Sequence, residues 1–118
     1  MLKLPNATAV VIDPRKIRDY LLDITHKKGG AKAREFIRYG FERSHWPVLS
    51  LALLAHVFEN PAYFTRVVQE QERWAVEGPL STPIGKRPLV RSVWAMKNGV
   101  TPHLLSAYKI PKVKNDLS

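Results

Sequence analysis

The sequence predicts an α+β fold: a short N-terminal strand and about three helices, then a C-terminal antiparallel meander of about three strands. Three observations predict it. Apolar residues at helical spacing crowd into the first half of the chain, while turn residues built on Pro and Gly concentrate in the second. Asn98-Gly99, the strongest short-range hairpin signal, stands between two strand-like runs.

Taken in order, Ala9-Val10-Val11-Ile12 is a short β-branched run, which predicts the first strand. Asp13-Pro14 has the form of an N-cap followed by a helix-starting proline. Ile17, Tyr20, Leu21 and Ile24 follow as the buried stripe of a first helix, with Gly29 or Gly30 as its left-handed stop. A second helix is expected from about Gly30 to Tyr39, with Ala33, Phe36 and Ile37 inward and Gly40 ending it. A third starts between Ser44 and Pro47; Val48 to Phe58 is apolar nearly all round, the pattern of a central, buried helix that Asn60-Pro61 ends. Tyr63 to Glu72 is ambiguous and could be a short helix leading into a strand, and Arg73 to Leu80 alternates loosely around Trp74 and Val76. Leu89 to Met96 reads as a strand with Val90, Trp94 and Met96 on one face and Arg91 on the other, and His103 to Ile110 as the strand that returns.

One domain over residues 1–111 is expected, with a basic, flexible tail over residues 112–118. The chain has no cysteine, which excludes disulfides, thiolate metal sites and a cysteine nucleophile. The histidines are scattered, so no metal site and no cofactor are expected. No apolar run is long enough to span a bilayer, and no signal peptide is apparent; the expectation is a cytoplasmic protein without a membrane partner. The formal net charge is +9, and from Lys86 onward seven cations face Asp116 alone. Such a balance points to a polyanion, RNA or an acidic protein, or to nothing more than a soluble basic surface.

Thr25 to Arg34 packs a histidine, two glycines and four cations between two helices. RNA can be cleaved with few parts, because it carries its own nucleophile: a base for the 2′-hydroxyl, an acid for the leaving oxygen and cations for the phosphorane. His26 is the candidate acid or base; alternatively its ring caps a helix by bonding a terminal carbonyl. Lys32, in the first turn of the second helix, is a candidate phosphate ligand or a solvated lysine. Arg91 faces away from the apolar side of its strand, suited to phosphate or to a rim ion pair with Glu77. Ser106 and Tyr108 share a face of the last strand: Ser106 could bond a phosphate oxygen, and Tyr108 could stack a base or cap the core. Lys28, Lys86 and Arg87 are further candidates for nucleic-acid contact. His103 and Ser106, three apart, fall on opposite faces of a regular strand and would meet only through a bulge. His56, inside the apolar third helix, is expected to be a satisfied core histidine.

Leu4-Pro5-Asn6-Ala7, then Lys16 and Tyr20-Leu21-Leu22, then His26, Gly29, Lys32-Ala33 and Gly40-Phe41 together resemble an uncharacterised bacterial domain family. Gly78-Pro79-Leu80, Gly85, Val93-Trp94 and Pro102 through Tyr108 extend the resemblance over most of the chain. It implies a small stand-alone protein or a module near phage and toxin genes. The helices-then-sheet order is similar to the metal-independent RNase toxins of the barnase, colicin and RelE kind, an analogy of architecture. The family commonly has Arg after the proline of the last strand, where this chain has His103; if that Arg binds phosphate, the role here is lost or passes to a titratable ring. Two readings stay open: an RNA-binding protein, toxin-like and with or without RNase activity, and a non-catalytic module that docks an acidic protein partner.

Overall fold

The computed structural model describes residues 2–97 and 99–111. Asn98 of the expected hairpin turn and the expected tail over residues 112–118 lie outside the described residues. The architecture is α+β, three helices followed by a four-stranded antiparallel sheet.

Asp13 starts α1 (Pro14–Lys16): its carboxylate accepts the Arg15 backbone N–H at 2.9 Å, with Pro14 in the first turn. The helix then widens into a π-helical turn over Ile17–Leu21, closed by the Leu22 N–H on the Ile17 carbonyl at 2.9 Å. Ile17 and Leu21 are buried, but Ile24 is exposed because the helix has already ended. α2 (Gly30–Arg38) buries Ala33 and Phe36 and leaves Ile37 exposed. Ile37 sits about 100° around the helix from Phe36, off the narrow stripe that touches the core. Gly40 stops the chain there at φ 97°, as expected. The earlier stop does not use a left-handed glycine, since Gly29 has φ −104°. Gly29 is needed instead for close approach: a Cβ there would lie 2.5 Å from the Tyr20 ring.

α3 (Trp46–Glu59) is central but not buried all round. Leu49, Leu53, His56 and Val57 face the core, while Val48, Leu51 and Phe58 are exposed. The sheet covers only one side of this helix.

The sheet runs β1 (Ala62–Val68), β2 (Gln71–Pro79), β3 (Leu89–Lys97) and β4 (Thr101–Lys109), each beside the next. The expected meander is one strand short. The missing strand lies in the ambiguous stretch, because the β1–β2 turn holds Gln69 and Glu70 at φ 51° and 65°. A turn with two positive φ values ordinarily calls for Asn or Gly, so Gln-Glu hides it. The expected N-terminal strand shrinks to one parallel bridge: Val11 bonds Pro102 O and Leu104 N at 2.9 and 3.1 Å, covering the outer edge of β4.

Val90, Ser92, Trp94 and Met96 are buried on the helix side of β3, with Arg91 on the other side, as the alternation predicts. β4 carries a bulge at Leu105: Val93 pairs with Ser106, whereas Trp94 pairs with Leu104. The extra residue brings His103 and Ser106 onto the same face, which regular pleating would forbid. In the core, His56 Nε2 lies 3.1 Å from Gly78 O and 3.0 Å from Val90 O, so Nε2 must carry the proton. Nδ1 then accepts from the Ser92 hydroxyl at 3.2 Å, and Ser92 Oγ accepts the Trp94 indole N–H at 2.9 Å. His56 is the satisfied core histidine expected, and burial pushes its pKa down.

Candidate active site

Between the π turn and α2 the chain makes a tight loop. The Asp23 carboxylate takes both the backbone N–H and the hydroxyl of Thr25, at 2.9 and 2.6 Å. His26 then folds its ring over the loop, and Nδ1 accepts the backbone N–H groups of Lys28 and Gly29 at 3.1 and 3.0 Å. The alternative that His26 caps a helix through a carbonyl is therefore corrected: the ring accepts from amides leading into α2. A ring nitrogen that accepts bears no proton, so a neutral His26 carries its proton on Nε2. The ring stands edge-on to Tyr20, with centroids 4.9 Å apart at 71°.

Tyr20 is the residue around which the site is built, and the sequence pattern places it only in the apolar stripe. Its hydroxyl receives a hydrogen bond from Lys32 Nζ at 2.6 Å. Lys32 Nζ also donates to Ser106 Oγ at 3.0 Å, and the two hydroxyl oxygens are 3.1 Å apart. Three elements converge here: the π turn supplies Tyr20, the first turn of α2 supplies Lys32, and the bulged β4 supplies Ser106. Burial by itself would push the Tyr20 phenol up; the hydrogen bonds from Lys32 and Ser106, with the fields of Lys32 and Lys16, outweigh it and bring the phenol below its usual range.

Arg91 joins this cluster through Tyr108. Its guanidinium donates to the Tyr108 hydroxyl at 2.9 Å, while Lys32 Nζ lies 5.6 Å from the Tyr108 ring centroid. Arg91 also forms the ion pair with Glu77 that the sequence offers as its alternative. Glu77 accepts in addition from the Tyr63 hydroxyl at 2.6 Å. The bonds to Tyr108 and then Glu77 hold the guanidinium firmly charged. Tyr108 is half-buried and stands on the sheet face away from the core, so it does not cap the core.

A cleft of about 530 Å³ opens beside Tyr20 and His26, lined also by Lys16, Lys28 and Leu105. Lys16 Nζ lies 5.4 Å from the Tyr20 ring centroid. Two carboxylates share the rim. Asp13 pairs with Arg15 at 2.8 Å, which holds its carboxyl down at about 2. Asp19 pairs with Arg18 and Arg43 at 3.0 and 3.1 Å. Among the described residues no ion pair engages Lys16, Lys28 or Lys32.

Of the residues singled out in the sequence, His26, Lys32 and Ser106 meet around Tyr20, Arg91 and Tyr108 continue from them, and Lys28 lines the cleft. Lys86 and Arg87 sit in the β2–β3 loop, where Arg87 is 3.6 Å from Glu59 and borders a separate groove with Tyr39 and Lys109. His103 shares the Ser106 face, and burial, then Lys97, push its pKa down.

Fold and site together define a small basic α+β protein with a Tyr–Lys–Ser cluster at the edge of its sheet. The sequence model of a family described as Domain of unknown function (DUF6883) matches residues 3–111, and the chain belongs to that family. No curated protein and no solved structure matches the chain. Among the described residues no helix is long and apolar enough to cross a membrane.

Proposed function

We propose that the protein binds RNA in the Tyr20 cleft and cleaves it without metal, the chemistry of small RNase toxins. The observation that carries this reading is the hydrogen-bonded triangle of Tyr20, Lys32 and Ser106, joined through Tyr20 to a cleft whose lysines, Lys16 and Lys28, have no ion-pair partner among the described residues. Tyr20 with Lys32 forms a proton-transfer pair: the ammonium favours the phenolate, and the phenolate takes the proton of the RNA 2′-hydroxyl. The 2′-oxygen attacks phosphorus, the bond to the 5′-oxygen breaks, and the leaving oxygen takes a proton from the Lys32 ammonium. The products are a 2′,3′-cyclic phosphate and a 5′-hydroxyl. One proton passing from Tyr20 to Lys32 along their hydrogen bond then restores the starting state.

His26 fits a different role from that of acid or base. Its Nδ1 accepts from two amides, so the ring offers its Nε2–H as a hydrogen-bond donor to a phosphoryl oxygen. Lys16 and Lys28 add positive potential at the cleft, and Ser106 holds the Lys32 ammonium in place.

The test is incubation of total RNA in EDTA with wild type, Tyr20→Phe, Lys32→Met and His26→Ala. Wild type should degrade the RNA, and Tyr20→Phe and Lys32→Met should each lose at least about 10²-fold in rate. Intact RNA with wild type refutes cleavage. Recovery of an acidic protein in place of RNA from a pull-down would favour the docking module.

A further inference from the structure

The sheet face turned away from the helices carries a feature that the cleavage chemistry does not use. Arg66 on β1 and Arg73 on β2 are direct register partners, next to the irregularity that follows Phe64. Like charges set opposite each other across two strands destabilise a sheet. Arg73 Nε is also buried with no hydrogen-bond partner, a second cost. Both arginines border a hollow of about 350 Å³, together with Arg91 and the rings of Tyr63 and Tyr108. The carboxylate on this face is Glu77, whose oxygen already accepts from Arg91 and Tyr63.

A bound anion would relieve the first of these costs. Phosphate matches the guanidinium fork and screens two adjacent arginines from each other. The walls of the hollow narrow the choice of anion. Tyr63 and Tyr108 stand on the two outer strands, and aromatic rings on an open sheet are the platform on which unpaired bases stack. Tyr108 also belongs to the first site through Arg91 and Lys32, so one strand can run from one site to the other without leaving the protein.

We propose that this hollow is a second RNA subsite, which binds a backbone phosphate of a single strand between Arg66 and Arg73 and a base against Tyr63 or Tyr108. The proposal rests on the RNA reading above and assigns the sheet face as its substrate track.

The experiment is fluorescence anisotropy with a short 2′-O-methyl oligonucleotide, which binds but cannot use its 2′-oxygen for cleavage. Arg66→Gln and Arg73→Gln should each weaken binding about tenfold. Each should also flatten the slope of log K against log salt by about 0.7 for every phosphate the variant no longer neutralises. Arg38→Gln, which removes a cation at the end of α2, should stay within about twofold of wild type. Thermal unfolding separates binding from folding: Arg66→Gln should melt at or above the wild-type midpoint, because the repulsion is gone. Wild-type affinity in both Arg66→Gln and Arg73→Gln, in a protein that cleaves RNA, overturns the subsite and leaves the cleavage reading standing. Arginine-dependent binding by a protein that cleaves nothing supports the subsite and removes the cleavage reading. A wild type that binds no oligonucleotide overturns the subsite, and total RNA left intact by the same protein removes the cleavage reading as well.

Discussion

The two faces of the sheet handle polar groups in opposite ways. On the helix side, His56, Ser92 and Trp94 form a closed set in which each donor meets an acceptor. On the open side, Lys32 keeps one N–H beyond its two bonds, Arg73 Nε has no partner, and Arg66 sits beside a like charge. In a core an unpaired polar group costs about 1–3 kcal/mol, which this closed set avoids. Groups left unsaturated on an open face are a standing capacity for a ligand. The same contrast separates two histidines of one chain: both ring nitrogens of His56 are engaged, whereas His26, which lines a cleft, uses only Nδ1 among the described residues.

The largest expected effect tests the closed face. His56→Ala leaves Gly78 O, Val90 O and the Ser92 hydroxyl without their partner, and should lower stability by about 3 kcal/mol in urea unfolding. RNA cleavage per folded molecule should be unchanged. Loss of cleavage in a folded His56→Ala protein would erase the distinction between the faces. The same residue sets a pH dependence. Its pKa is depressed in the fold from an ordinary 6.5, so the unfolded chain binds the proton first as pH falls. The contribution is therefore complete above about 6.5 and is lost as pH drops below it. His103 shifts in the same direction, so the check is wild type against His56→Gln between pH 7.5 and pH 5, roughly the range in which a histidine charges.

A middle-sized effect tests the open face from behind. Gly29 has an ordinary φ, so Gly29→Ala strains no backbone angle; its Cβ would meet the Tyr20 ring at 2.5 Å and the Tyr20 carbonyl at 2.9 Å. Overpacking of this kind costs about 1–3 kcal/mol. Cleavage should fall at least about tenfold in the protein that remains folded, since the phenol moves away from Lys32. A Gly29→Ala protein with wild-type cleavage would show that the position of Tyr20 does not matter.

What the sequence made legible follows the same division. Periodicity found α2, α3, β3, β4 and the side of Arg91, because burial imposes periodicity. It missed β1, where an unusual Gln69-Glu70 turn carries no turn residue, and it overestimated the burial of α3, since hydrophobicity does not say which side of a helix a sheet will cover. His26, Lys32, Arg91 and Ser106 stood out by chemical type. Tyr20 did not, because a tyrosine in an apolar stripe reads as core until a lysine from another element reaches its hydroxyl. Arg66 and Arg73 were invisible for a related reason: their pairing depends on a strand register that no local pattern encodes. The bulge at Leu105, which sets Ser106 beside His103, was conceivable only as a condition.

The smallest expected effect concerns cations that composition alone would count as binding residues. Lys86 and Arg87 belong to the run of positive charge in the second half of the chain, yet both lie in the β2–β3 loop. Arg87 is within 3.6 Å of Glu59, which offsets its charge locally, and neither residue borders the Tyr20 cleft or the hollow between Arg66 and Arg91. An exposed charge more than a Debye length from a phosphate, about 8 Å at physiological salt, contributes little to its binding. Lys86→Gln and Arg87→Gln should therefore weaken oligonucleotide binding by less than about twofold, and leave the salt slope unchanged within about 0.3, under half the value for one phosphate. A drop comparable to that of Arg66→Gln would mean that binding follows total charge and not the register of the open face.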